Sequence, residues 1–148
     1  MLVRDGRVVG RGCAALMIHV ISKGRALPLA WRVRQGPKGP WPEALPIALV
    51  ALMRACLPEG TQVVFLGDGE FDGTTLQKTL NEAGWLYACR TAQSTVATWE
   101  GEPFRLDTLG ACRKPGTLSA LQEVQGTRDA YGPVMVLRCW AKGYQEPL

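Results

Sequence analysis

The chain of 148 residues has few of the features that mark several common protein classes. It contains no run of about 18 consecutive apolar residues, so nothing in it indicates a membrane-spanning helix. Its N-terminus has no basic segment followed by an apolar stretch, which argues against a secretory signal. Its five cysteines are widely spaced and form no CxxC pair, so a zinc site and a disulfide framework are poor interpretations. We therefore expect reduced thiols in a cytoplasmic protein.

Histidine is also scarce, because His19 is the only one. It lies in an apolar segment with no nucleophile near it in the sequence, and a packed histidine is a better interpretation than a metal ligand. Five tryptophans could stack on nucleic-acid bases, but in strands they more often pack in a core or at an edge. They are Trp31, Trp41, Trp85, Trp99 and Trp140.

Positive charge is concentrated near the N-terminus. The whole chain has a formal net charge of +4, but residues 1–40 hold eight Lys or Arg against a single acid, Asp5, which makes that segment +7. A basic stripe of this kind suggests a polyanionic partner such as DNA. Solvated outer faces of strands would explain the same charge equally well.

The first 91 residues alternate between strand and helix patterns. Residues 2–35 are predicted to form antiparallel strands, with Lys23 and Gly24 at a tight turn and Pro28 placing the last strand at a sheet edge. Further along, helices are predicted for 44–57 and 74–83, and strands for 62–67 and 85–90. The strand at 62–67 is apolar enough to be central and covered on both faces. This order predicts an α/β fold with a mixed sheet and helical crossovers.

The composition changes after residue 91. No helical period is apparent there, and short extended pieces alternate with Gly and Pro. The pieces are 94–99, 103–106 and 134–140. We predict a first domain at 1–91 and a β-rich region at 92–148.

The segment VVFLGDGEFDG at residues 63–73 is the most informative motif. Its apolar run ends in three carboxylates, Asp68, Glu70 and Asp72, and hard oxygen ligands on a strand tip suit magnesium. A calcium loop is a second interpretation, although Thr79 stands where an EF-hand has its bidentate Glu and a strand precedes the loop. A third interpretation is a metal-free turn and helix cap, with Asp72 or Thr74 as the cap.

Asp5 is a partner carboxylate for the magnesium interpretation. If the first strand pairs beside the strand that ends at Asp68, the two carboxylates can face each other across a metal pair. Two magnesium ions roughly 3.5–4 Å apart would activate a water or a 3′-hydroxyl and stabilise the leaving oxygen of a displacement at phosphorus.

Four segments in succession resemble bacterial insertion-sequence transposases of the DDE type. They are DGRVVGRGC at 5–13, GRALPLAW at 24–31, FLGDGEFDG at 65–73 and GWLYACR at 84–90. The resemblance implies a ribonuclease-H-like fold followed by a β-rich insertion. It also implies that Asp5 and Asp68 are the first and second catalytic aspartates and bind Mg²⁺ or Mn²⁺. The implied partners are insertion-sequence ends and target DNA, at the bacterial nucleoid, with no membrane partner and a homodimer of the intact parent protein.

One family feature is missing from the sequence. The third ligand of these enzymes is a glutamate on a helix in a Tyr/Arg/Glu/Lys-type motif, whereas Glu123 and Glu146 lie in extended or loop sequence. We therefore expect a truncated fragment, without the usual N-terminal DNA-binding region, that cuts and joins DNA poorly or not at all. Whether the chain is itself an enzyme stays open, and the alternative is a non-catalytic DNA-binding remnant that uses the basic first 40 residues. Glu70 and Asp72 are expected to shape the turn, and Arg90 could hold a phosphate.

Overall fold

The computed structural model describes residues 1–37, 41–68, 73–110, 114–126, 131–140 and 142, and for Arg4 and Asp5 the backbone alone. The chain divides into two compact units, Met1–Thr91 and Ala92–Leu148. No helix among the described residues is long and apolar enough to cross a membrane.

The first unit is built on a five-stranded sheet. Three antiparallel strands come first in the chain, and two further strands follow, each after a helix. The strands are β1 (Leu2–Gly10), β2 (Cys13–Ser22), β3 (Arg25–Gln35), β4 (Val64–Gly67) and β5 (Leu86–Cys89), and the helices are α1 (Ala44–Cys56) and α2 (Thr74–Glu82). The spatial order is β3-β2-β1-β4-β5, with β4 parallel to β1 and β5 parallel to β4. This confirms an α/β fold with a mixed sheet.

Local sequence signals explain most of the element boundaries in this unit. Lys23 and Gly24 both have positive φ, at 49° and 74°, which is the geometry of a tight hairpin turn between β2 and β3. Pro28 lies in β3, an edge strand, where a missing N–H is tolerated. Pro46 lies in the first turn of α1, and Pro58 follows its C-terminal cap, as the chemistry of proline requires.

Both helices pack against one face of this sheet. Leu49 of α1 and Leu80 of α2 are fully buried in the same cluster as Phe65, the central residue of β4. The sheet residues of this cluster are Leu2, Ala14, Leu16, Ile18, Ala30 and Phe65. Because side chains alternate along a strand, the positions between them belong to the opposite face.

That opposite face, called the open face below, carries large apolar side chains that solvent reaches. They are Trp31 (56% exposed), Val33 (56%), Val64 (38%) and Leu86 (71%). β4 is therefore central, but among the described residues it is covered on one face, not on both as its apolar sequence predicted. An apolar sequence shows that a strand can be buried on both faces. Whether it is buried depends on which other elements pack against each face.

The second unit is an antiparallel sheet with the order β7-β6-β8-β9. Its strands are β6 (Val96–Trp99), β7 (Glu102–Arg105), β8 (Leu118–Gly126) and β9 (Val134–Cys139), and a short 3₁₀ helix, Leu106–Gly110, follows β7. β8 was not predicted from the sequence. Its pairing with β9 shifts register between Leu121 and Val124, where Glu123 has a φ of 58°, and such a bulge interrupts the alternation by which strands are recognised.

An exposed ion pair closes the end of β7. Arg105 Nε donates to Asp107 Oδ2 at 3.1 Å, and this hydrogen bond lowers the pKa of the Asp107 carboxyl. The pairing consequently favours the folded state when Asp107 is ionised, and this contribution disappears as the pH falls through the lowered pKa. Both side chains are solvent-exposed, so we expect a small effect.

Candidate metal centre

Asp68 lies where the central strand β4 leaves the sheet. It follows Gly67, the last residue of β4, and its side chain is exposed. The strand end is held by β5, because the Arg90 N–H donates to the Gly67 carbonyl oxygen at 2.9 Å. The carboxylate is therefore attached to a well-anchored strand tip, as the sequence predicted. Glu70 and Asp72, the other two acids of the motif, lie outside the described residues.

Asp5 lies on the neighbouring strand β1, opposite Met17 of β2. β1 and β4 run parallel, with Leu2 opposite Phe65 and Val3 opposite Leu66. If this register continues for two more residues, past the end of β4 at Gly67, position 5 is opposite position 68. Adjacent strands are about 4.8 Å apart, so the backbones of the two aspartates would then be neighbours.

The same register extends to both edges of the sheet. Met17 of β2 is opposite Trp31 of β3. On the other side of the sheet, Gly67 of β4 is opposite Cys89 of β5. One residue further along these two segments, Asp68 is opposite Arg90. The five positions form one cross-strand line, the Asp68 row, made of Trp31, Met17, Asp5, Asp68 and Arg90. This row belongs to the open face, because the alternate positions Leu2, Ile18, Ala30 and Phe65 lie in the core.

The chemistry of the row suits a divalent cation beside a phosphate. Two aspartates on adjacent strands supply the hard oxygen donors that Mg²⁺ prefers, and the exposed Arg90 adds a positive charge next to them. No group of three or more His, Cys, Asp or Glu side chains suited to a metal occurs in the described part of the chain, from which the Asp5 side chain is missing. The structure thus puts the strand that contains Asp5 beside the strand that Asp68 follows, and the described residues add no third acidic ligand.

Glu43 contacts the other end of the loop that begins at Asp68. It occupies the N-cap position of α1, yet its Oε1 atom accepts the backbone N–H of Thr75 in α2 at 3.1 Å. Gly73, the N-cap of α2, leaves room for this carboxylate, since a Cβ there would lie 2.6 Å from Glu43 Oε1. Sequence reasoning missed this contact, because no local pattern relates residue 43 to residue 75.

The remaining candidate residues have ordinary surroundings. His19 is half-buried on β2, opposite Val3 and Pro28, in agreement with a packed histidine. Glu123 lies in β8, and Glu146 is outside the described residues. Trp41 and Trp85 are buried in the first unit, each 8% exposed.

The described basic side chains of the first 40 positions, which leave out Arg4 and Lys38, do not form a single stripe. Arg11 lies in the turn between β1 and β2, whereas Lys23 and Arg25 lie at the β2–β3 turn, at the opposite end of those strands. Arg34 stacks over the ring of Trp41, with its Cζ atom 4.3 Å from the ring centroid. Part of this charge is therefore used in packing within the fold.

No protein-family model, curated protein sequence or solved structure matches this chain. The Asp68 row and the sequence motifs around it are consequently the basis on which a function can be assigned.

Proposed function

We propose that this chain contains part of the catalytic region of a DDE-type insertion-sequence transposase, with Asp5 and Asp68 as two of its metal ligands. The observation that carries the proposal is the parallel pairing of β1 with β4, because it puts the strand that contains Asp5 beside the strand that Asp68 follows. A ribonuclease-H-like assignment is supported by the element order, in which three antiparallel strands precede two parallel ones that each follow a helix. The β-rich second unit corresponds to the insertion that the resemblance implies.

In this mechanism Asp5, within β1, and Asp68, just after the end of β4, would hold Mg²⁺ or Mn²⁺. A metal held there would supply activation of a water or a 3′-hydroxyl and would offset charge on the leaving oxygen of a DNA phosphodiester. Arg90 contacts a phosphate oxygen from the adjacent position, and Glu43 keeps the end of the Asp68 loop in place through the Thr75 N–H. The substrate class is DNA at insertion-sequence ends, in the cytoplasm of a bacterium.

The chain on its own is expected to react slowly. The third acidic ligand of the family lies on a helix in a motif that this sequence does not contain. With two aspartates alone, the metal loses a charged ligand and its coordination geometry is less well defined. A homodimer is expected of the intact parent protein, as in the resemblance.

Calorimetric titration with Mg²⁺ and Mn²⁺ tests the proposed metal site. We expect measurable binding by the unchanged chain and a loss of at least tenfold in affinity for Asp5→Asn and for Asp68→Asn, since each removes a charged ligand. Glu59→Gln, at an exposed carboxylate in the loop after α1, is the matched control and should bind as the unchanged chain does. Unaltered metal binding by both aspartate variants would contradict the proposal.

The same titration separates the two alternatives. Micromolar affinity for Ca²⁺ with no preference for Mg²⁺ or Mn²⁺ would favour a calcium loop. Salt-sensitive DNA binding without any metal binding would favour a non-catalytic DNA-binding remnant. Efficient magnesium-dependent nicking of DNA by this chain would instead contradict the requirement for a further acidic ligand.

A further inference from the structure

Trp31 is the most exposed of the tryptophans in the first unit. It is 56% exposed on β3, while its neighbour Ala30 is 5% exposed and points into the core. Trp41 and Trp85 of the same unit are each 8% exposed. Trp31 lies on the edge strand β3, where most residues of both faces are exposed, and the pairing of β3 with β2 shifts register between Pro28 and Ala30. An exposed tryptophan offers a large flat ring on which a flat partner can stack.

Trp31 shares the Asp68 row with the proposed metal ligands. It is opposite Met17, and Met17 is opposite Asp5. With strands about 4.8 Å apart, its backbone lies two strands, or about 10 Å, from that of Asp5 and three strands, or about 14 Å, from that of Asp68. A short stretch of one nucleic-acid strand can span these distances while a phosphate lies at the aspartates.

Two exposed cations of the open face, together with the proposed DNA function, favour a polyanion as the occupant of this face. Arg7 is exposed and stands two residues from Asp5 on β1, at a position of the same open face, and Arg90 is at the far end of the row, four strands or about 19 Å from Trp31. Cations that follow a phosphate backbone, combined with an aromatic side chain on which a base stacks, are the recurring means of binding single-stranded nucleic acid. Inside a duplex, both faces of a base are covered by the neighbouring base pairs. A base that stacks on a tryptophan side chain must therefore be unpaired.

We infer that Trp31 stacks on an unpaired DNA base, and that single-stranded DNA crosses the open face of the sheet from Trp31 towards Asp68. The inference rests on the proposed function, whose substrate it narrows to DNA with an unpaired nucleotide near the reacting phosphodiester. Trp31 acts as a positioning residue in this arrangement and takes no part in the chemistry.

Fluorescence anisotropy with two labelled strands of equal length and charge tests the inference. One strand is oligodeoxythymidine, and the other carries abasic sites throughout. We expect the unchanged chain to prefer the thymidine strand about tenfold, because stacking adds to phosphate binding. Trp31→Ala should abolish this preference with little change in abasic-strand affinity, and Trp31→Phe should retain most of it. Trp99→Ala, at a 38% exposed tryptophan of the second unit, is the control and should keep the preference.

The possible outcomes distinguish the inference from the function on which it rests. If the unchanged chain binds neither strand, the DNA function and the inference both fail. If it prefers the thymidine strand and Trp31→Ala keeps that preference, the inference alone fails. Sedimentation of the same samples measures self-association as a further test. If Trp31→Ala abolishes self-association and leaves the preference for the thymidine strand intact, the open face contacts a second copy of the chain. That result would overturn the inference. Circular dichroism of each variant verifies that it is folded.

Discussion

The first unit closes a core between its sheet and two helices, whereas the described part of the second unit is a sheet with one short 3₁₀ helix beside it. Apart from Ala97 and Val124, every buried apolar residue of the described chain lies in the first unit. In the second unit, Leu109 of the 3₁₀ helix lines a small, partly open pocket of about 80 Å³ together with Leu121 and Val136. On the other side of that sheet, Leu118 and Leu137 are more than half exposed, at 65% and 51%.

This difference separates two sources of stability. A helix-covered sheet is stabilised mainly by removal of apolar surface from water, at roughly 25 cal/mol per Å². A sheet with little burial depends on turn geometry, cross-strand pairs and backbone hydrogen bonds, and each contributes less. We therefore expect truncated core side chains to dominate the energetics of the first unit and backbone geometry to dominate those of the second.

The largest expected effect is that of Phe65→Ala. Phe65 is 0% exposed at the centre of the first unit, so removing its ring should destabilise that unit by about 3–5 kcal/mol. Denaturant unfolding measures the loss, and hydrogen exchange of β4 and β1 locates it. Leu137→Ala, at a 51% exposed side chain of the second unit, should cost under about 0.5 kcal/mol. Equal costs for the two changes would show that the contrast between the units is wrong.

Gly132→Ala should have an intermediate effect that is confined to the second unit. Gly132 has a φ of 151°, and a Cβ there would lie 2.7 Å from the backbone oxygen of Val124. Since neither backbone can move cheaply, we expect a cost of about 1–3 kcal/mol, seen as faster exchange of β8 and β9 amides. Gly101→Ala is the control, because its φ of 86° is unfavourable but its Cβ would meet nothing within 4 Å. A Gly101 variant as damaging as the Gly132 variant would contradict the steric explanation.

Glu43→Ala should have the smallest effect of the three main changes. The change removes the acceptor of the Thr75 N–H, and loss of such a cap costs about 0.5–2 kcal/mol. Thr75 exchange measured by NMR should quicken, and Glu43→Gln should restore most of its protection because the amide oxygen still accepts. Glu82→Ala, at an exposed residue at the end of α2, should leave Thr75 unaffected. Unchanged Thr75 exchange in Glu43→Ala would show that the contact does not hold α2.

Local signals in the sequence were sufficient for most elements of the first unit. Lys23 and Gly24 predicted the second hairpin, and Pro46 and Pro58 predicted the limits of α1, because these residues restrict φ or hydrogen bonding wherever they occur. β8 escaped prediction because the bulge at Glu123 breaks its alternation. The contact between Glu43 and Thr75 escaped it because 32 residues separate the pair.

By itself the sequence determined the strands and helices of the first unit, most of the strands of the second, and the two aspartates worth considering, since propensity, turn chemistry and residue type act over a few neighbours. Only the tertiary structure decided that β4 pairs in parallel with β1, so that the strand containing Asp5 lies beside the strand that Asp68 follows, and that Met17 is opposite both Asp5 and Trp31. The physical reason is that parallel pairing joins distant segments through a crossover. Its register depends on how whole faces pack, so no local pattern can specify it.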